Sequence, residues 1–534
     1  MSPLSIRSDL GPMLLLFMSL TLSSPLWSEQ VLDENSTRTT VKVGNDMHDN
    51  RASPHPIHAE GQRGVSPRRT LLFAGDYPDP SLLRVGNRWY CVHSSFEWSP
   101  GLLVWMSEDL MTWKPLGPAL TAYDGDVWAP DLAYHEGEFL IYYRSSKSRL
   151  GTRVVTARDP AGPWSPPADV GIGWFDPAHV ADEEGRRWIH VSDGFASRLS
   201  ADGRTVVGNP LRTIEPWPIP PSPPHEGVCL EGPKLFKHNG WWHYLAAQGG
   251  TAGPATSHMV VEARGPSPIG PWTWSPHNPV IRTHSRDELW WSVGHGTAFT
   301  GPDSSWWMIV HGYRKGFHTL GRQTLLVPVR WTNDDWLAED DRTTPQPVGP
   351  AVDPQVDDHF TGSTLGVAWR SWQGLARVRI DGGLHLAGGG TTLRDTSPLT
   401  VIPGHVAYEM ETELTMPPAG CLAGLCLYYN NEAHYGIGVD QRGVMLLERP
   451  PANPWPTALP NGVKRIALRI RNDHHEVTAW YALDGGPWTQ LFATCELSGL
   501  HHNTFRGFLS LRTGVFAAGG EALFHRFRYR AIDP

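Results

Sequence analysis

Arg88-Trp89-Tyr90-Cys91-Val92 is a short aromatic strand set behind the turn Val85-Gly86-Asn87, and the pattern returns four times along the chain. The later copies are Glu138-Phe139-Leu140-Ile141-Tyr142, Arg187-Trp188-Ile189-His190-Val191, Trp241-Trp242-His243-Tyr244-Leu245 and Trp306-Trp307-Met308-Ile309-Val310. Their leading aromatics lie 50, 49, 53 and 65 residues apart. A Gly, Asp or Asn turn followed by aromatic and β-branched residues is what an antiparallel hairpin requires. Units of this length, each holding several short strands, are the signature of a β-propeller. Five copies predict five blades.

About ten residues upstream of each aromatic strand, an ionisable residue heads a short apolar stretch. In order these residues are Asp79, Asp131, Asp176, Glu231 and His295. The innermost strand of each blade lines a propeller's central channel, so equivalent positions converge on the axis. Four carboxylates and an imidazole are thus expected to share a funnel. An isolated Asp-Pro is an ordinary turn dipeptide, as Asp159-Pro160 and Asp353-Pro354 are. Recurrence in register with the repeat argues for use, because clustering ionisable groups in an interior is costly unless they are employed or paired. Asp131 can stabilise the channel instead of taking part in chemistry.

At 534 residues the chain exceeds what one hydrophobic core ordinarily supports, so two folded domains are expected. Its 55 Gly and 48 Pro oppose long helical bundles. A net charge of -9 offers no attraction for a phosphate backbone, which argues against a nucleic-acid partner. Five scattered cysteines make no disulfide framework. The sequence also lacks a His-Glu-x-x-His zinc site, a Gly-x-Ser-x-Gly elbow and the glycine loops that hold dinucleotides or phosphates.

Residues 1–28, with Arg7 ahead of the apolar run Met13 to Leu22, read as a signal peptide too short to span a bilayer, so no membrane anchor is expected. That places the protein outside the cytoplasm, secreted or periplasmic. Residues 29–69 lack Phe, Trp and Tyr and read as a mobile leader. The propeller is expected over 70–342, followed by a proline-rich linker at 343–355. Over 356–534 the period becomes two: Val406, Tyr408, Met410, Thr412 and Leu414 alternate with Ala407, Glu409, Glu411 and Glu413. Half-buried antiparallel strands of this kind predict a β-sandwich.

The stretches Tyr77-Pro78-Asp79-Pro80-Ser81, Ser94 to Gly101, Val127-Trp128-Ala129-Pro130-Asp131, Trp174-Phe175-Asp176, Leu230-Glu231-Gly232-Pro233, Gly294-His295-Gly296 and Leu320-Gly321-Arg322-Gln323-Thr324 resemble glycoside hydrolase family 43. The resemblance is strongest to its β-xylosidase and α-L-arabinofuranosidase members. It implies an all-β architecture, a five-bladed β-propeller catalytic domain followed by a concanavalin-like β-sandwich. By the same resemblance Asp79 is the general base, Asp176 tunes and orients the acid, and Glu231 is the general acid of an inverting hydrolysis. Arg322 is expected to hold sugar hydroxyls and the carboxylates, Phe96 and Trp128 to form an aromatic wall, and Phe516 to be the sandwich aromatic that narrows the pocket. His295 matches an axial histidine that in some members holds a calcium through water. A structural calcium is therefore compatible with the resemblance, while the chemistry itself requires no cofactor.

The implied activity is an exo-glycosidase on terminal β-D-xylosyl residues of an oligosaccharide partner. An α-L-arabinofuranosidase and a catalytically inactive carbohydrate-binding propeller are the alternatives. Relatives often assemble as homo-oligomers, so that state is open as well.

Overall fold

The computed structural model describes residues 69–341, 349–448 and 456–532. The expected signal peptide, the leader up to residue 68 and the proline-rich start of the linker lie outside the described residues. Arg69, assigned to the leader from sequence, is instead part of the folded body. Its guanidinium is 4% exposed and pairs with Glu288 and Glu339, each at 3.2 Å.

Five antiparallel sheets follow one another along the chain as blades I to V. Each is built on one repeat, and each aromatic stretch forms the second strand: Arg88–Val92, Glu138–Ser145, Arg187–His190, Trp241–Gln248 and Trp306–Arg314. The ring closes through the chain's first described strand, Thr70–Phe73, which pairs with Arg322–Trp331 in blade V. The first and last parts of the propeller segment are thereby held in one sheet. Apolar side chains of neighbouring blades pack together, as where Tyr90 and Val92 meet Phe139 and Ile141 between blades I and II.

The inner strands share a backbone device that the sequence register does not reveal. Each blade carries one residue with left-handed backbone where the chain enters the channel: Asp79 (φ 54°), Ala129 (φ 35°), Asp176 (φ 55°), Gly232 (φ 56°) and His295 (φ 54°). Four of the five are not glycine, and such conformations persist where surrounding structure enforces them, typically at functional sites. Aligned on this kink, Asp79, Asp176 and His295 are equivalent. Glu231 precedes the kink by one residue, and Asp131 follows it by two.

The second domain is a sandwich of two sheets. Gly520–Ala531 and Ala407–Thr415 run at the centre of one, and Leu422–Asn430 and Arg512–Ala518 at the centre of the other. The second sheet ends on a strand borrowed from the propeller: Trp98–Ser99 pairs with Arg370–Trp372. Phe96 and Trp98 are buried with the sandwich core rather than with a blade. Backbone hydrogen bonds from Gln373 to Glu97 (2.8 Å) and from Leu511 to Thr319 (2.8 Å) add to this joint. The domains are therefore joined through the loop that carries Phe96.

Candidate active site

At the axis, Asp79 sits 5% exposed between a guanidinium and two imidazoles. Arg322 donates through Nη1 to Oδ1 at 2.9 Å, and the Ser94 hydroxyl donates to Oδ2 at 2.6 Å. The backbone N–H of Asp79 donates to Nδ1 of His311 at 3.0 Å, which fixes that ring as the Nε2–H tautomer. Burial alone would raise the Asp79 pKa. The permanent charge of Arg322 is the leading opposing cause and holds the carboxyl well below the usual range. Asp79 is thus an ionised carboxylate.

Across the channel the balance is reversed. Burial, then the negative charges of Asp176 and Asp79, push Glu231 well above the ordinary glutamate value. Burial and Asp79 likewise push Asp176 up to about 7, against the opposing hydrogen bond that Gly232 N–H donates to its Oδ2 at 2.9 Å. His295 lies between them, with Nδ1 3.6 Å from Asp79 and 3.9 Å from Asp176. A donor atom of Glu231, one of His258 and one of His295 also lie within 4.8 Å of one another. Burial lowers the His295 pKa to about 3, so the imidazole is neutral.

A Cβ on Gly232 would stand 2.9 Å from the His295 ring. Glycine at this left-handed position therefore allows the close approach of the fourth blade to the fifth. The local arrangement has one acid and one base held in opposite protonation states around a shared imidazole, which is what general acid–base chemistry requires.

Aromatic rings gather about Arg322. The Arg322 guanidinium carbon lies 5.6 Å from the Phe96 ring centre and 5.2 Å from that of Phe508. Trp128 lies 6.3 Å from Phe96 and 6.2 Å from Phe508. Phe508 comes from the sandwich, in a loop whose backbone is left-handed at this residue (φ 54°). His502 secures the loop: its ring stacks on Phe508 at 3.8 Å, and its Nδ1 accepts the Phe508 N–H at 2.8 Å.

The catalytic body, residues 70–337, matches the model of glycosyl hydrolases family 43, and residues 357–530 match that of the β-xylosidase C-terminal concanavalin A-like domain. The chain belongs to family 43. Among its relatives is a non-reducing end α-L-arabinofuranosidase of Bacteroides ovatus, 33% identical over 56% of this chain and 60% of that protein. A xylan 1,3-β-xylosidase of a Vibrio species is 28% identical over 68% of this chain and 77% of its own. The crystal structure of a xylan β-1,4-xylosidase from Bacillus halodurans superposes with a TM-score of 0.76 at 25% identity, covering 86% of this chain and 99% of that one.

In this family 43 chain, Asp79, Asp176, Glu231, His295, Arg322, Phe96 and Trp128 come together as described. Asp131 does not join them. Its position two residues beyond the kink turns it deeper into the channel, where it pairs with Lys234 Nζ at 2.6 Å and accepts the His179 N–H at 2.8 Å.

Phe516 is a correction. It is fully buried in the strand Arg512–Ala518, paired on both sides, and belongs to the sandwich core. Phe508 takes the place expected of it. Phe516→Ala is accordingly expected to cost about 3–5 kcal/mol of stability, measured by denaturant melts, with little change in turnover per folded molecule. Phe508→Ala should instead leave stability nearly intact and raise KM by about 2- to 10-fold, the loss of a single aromatic contact.

Sequence reading also missed Ser94, His311 and His258. Ser94 lay inside a motif already recognised, whereas nothing in the repeat singles out His311 or His258. As for calcium, each of the two clusters that could hold an ion sets two imidazoles beside one carboxylate, Asp79 with His295 and His311 and Glu231 with His258 and His295, and calcium takes oxygen ligands. These residues do not fit it as direct ligands.

Proposed function

We propose that this chain is an inverting exo-glycosidase that removes terminal β-D-xylosyl residues from oligosaccharides. The observation that carries the proposal is the opposed protonation of Asp79 and Glu231 about one axial imidazole. In the reaction a water attacks the anomeric carbon and gives its proton to Asp79. The bond from that carbon to the leaving oxygen breaks, and Glu231 donates the proton that oxygen needs. Asp79 ends protonated and Glu231 ionised, and exchange with solvent restores both. Arg322 keeps Asp79 charged beforehand and turns a guanidinium toward the sugar, while Asp176 keeps Glu231 protonated.

Closure of the wall by Phe508 favours cleavage at a chain end over cleavage within a polymer. Xylose is supported by the relatives named for it and by the β-xylosidase type of the second domain. The arabinofuranosidase relative keeps an α-L-arabinofuranosyl end as the second reading. An inactive binding propeller would have no need to hold two carboxyls in opposite states. The N-terminal apolar segment supports export, so the natural substrate would be met outside the cytoplasm.

Release of 4-nitrophenol from the β-D-xylopyranoside and the α-L-arabinofuranoside tests the proposal. Faster turnover of the xyloside, with the α-anomer as first product, is expected. Silence on both substrates by the folded protein would sink it.

The pH profile carries its own sign. Activity requires Asp79 ionised and Glu231 protonated, so the acid limb of kcat/KM lies low and the basic limb follows the raised Glu231–Asp176 pair. Asp176→Asn removes a negative charge beside Glu231 and is expected to move the basic limb to lower pH. An unmoved limb would show that Asp176 does not tune the acid.

A further inference from the structure

A cavity lies where the propeller meets the sandwich. It has a volume of about 150 Å³. Five residues on its wall carry buried polar atoms with no hydrogen-bond partner: Arg512 (Nε and Nη1), Trp98 (Nε1), Trp105 (Nε1), Ser95 (Oγ) and His93 (Nδ1). Arg512 is 4% exposed and lies over the Trp98 ring at 4.4 Å. Indole and guanidinium groups are donors only, so the unmet demand in this cavity is for an acceptor.

The charge count points the same way. Arg370 also lines the cavity. Its Nη1 is held by the backbone carbonyl of Trp369 at 2.7 Å, and no ion pair of Arg370 or Arg512 with a carboxylate is present among the described residues. Asp76 is the one buried carboxylate on the wall, and it also accepts the Arg322 N–H at 3.3 Å. Arg322 is neutralised by Asp79, which leaves Asp76 facing two arginines. At the mouth the exposed Asp353 is engaged by Gln355 and by His405. Burial lowers both arginines to about 10, against the opposing negative charge of Asp76 on Arg512. Leaving the buried Arg512 guanidinium only partly compensated, with the half-buried Arg370 beside it, is expensive, and water alone supplies dipoles without charge.

We propose that this interdomain cavity is a binding site for a small anion, a carboxylate or an inorganic oxyanion, held by Arg512 and Arg370 with the indole N–H groups of Trp98 and Trp105. An occupant binds only when both domains are in place, since Arg370 and Arg512 come from the sandwich, Trp105 from blade I and Trp98 from the propeller segment that joins the sandwich sheet. The site shares Ser94, which lines the cavity and donates to Asp79, with the catalytic centre.

The test uses the full chain at constant ionic strength, with sodium phosphate or sodium acetate replacing the salt of a bulky sulfonate. A saturable rise of several degrees in thermal midpoint is expected, and the more effective salt identifies the preferred class. Arg512→Gln should abolish the rise and Arg370→Gln should reduce it. Should Arg512→Gln fail to fold, crystals of the wild type soaked in bromide provide a second readout, with anomalous density expected between the two guanidiniums. A flat response to both salts, an equal rise in wild type and Arg512→Gln, or a bromide-soaked cavity holding water alone would overturn the proposal.

Discussion

Asp79→Asn is expected to lower kcat on 4-nitrophenyl β-D-xylopyranoside by about a thousandfold, within the range that removal of a positioned general base produces. The amide keeps the shape of the carboxylate and still accepts from Ser94, so the pocket is preserved while the proton acceptor is lost. Arg322 loses its counter-charge at the same time and is left as a buried, unpaired cation. The variant should therefore also melt at a lower temperature than the wild type, and turnover must be normalised to the folded fraction. Residual activity within about tenfold of wild type would remove Asp79 from the role of base.

The second large effect concerns Glu231 and depends on the leaving group. Glu231→Gln cannot donate a proton, so a sugar leaving group, a poor one without protonation, should be released about 10²- to 10⁴-fold more slowly. 4-Nitrophenolate departs readily unaided, and its release should suffer much less. Parallel assays on xylobiose and on the nitrophenyl xyloside check this difference. Equal losses on both would mean that Glu231 acts on something other than the leaving oxygen. The substitution also removes a half-buried carboxyl whose ionisation is opposed by desolvation and by Asp176 and Asp79, so it should not destabilise the fold as Asp79→Asn does.

Much of this organisation was legible before any coordinates. The aromatic strands recur because each blade must solve the same local problem, a hairpin with one face against each neighbour, and that problem leaves its period in the chain. Asp79, Asp176 and His295 were legible for the same reason, standing at one backbone position of a repeated unit. Asp131, read from sequence as able to stabilise the channel instead of acting in chemistry, stands two residues beyond that position. In a strand that offset keeps the same face and shifts the side chain along the channel, within reach of Lys234.

Phe516 and Phe508 illustrate a different limit. Both are phenylalanines near the end of the sandwich, and a two-residue period cannot tell which one a loop will carry across to another domain. That outcome depends on the left-handed turn at Phe508, the His502 stack and the Leu511–Thr319 hydrogen bond. All of these are set by packing.

By itself, the sequence determined the five-bladed ring, the sandwich behind it and the residue types that can move protons, because these are written in local periodicity and in side-chain chemistry. Tertiary structure alone decided which carboxyl is charged, which aromatic closes the pocket, that a propeller strand completes the sandwich sheet, and that two arginines share the single buried carboxylate of Asp76. Each of these depends on the distance between groups far apart in the chain, and electrostatic and packing energies are functions of that distance.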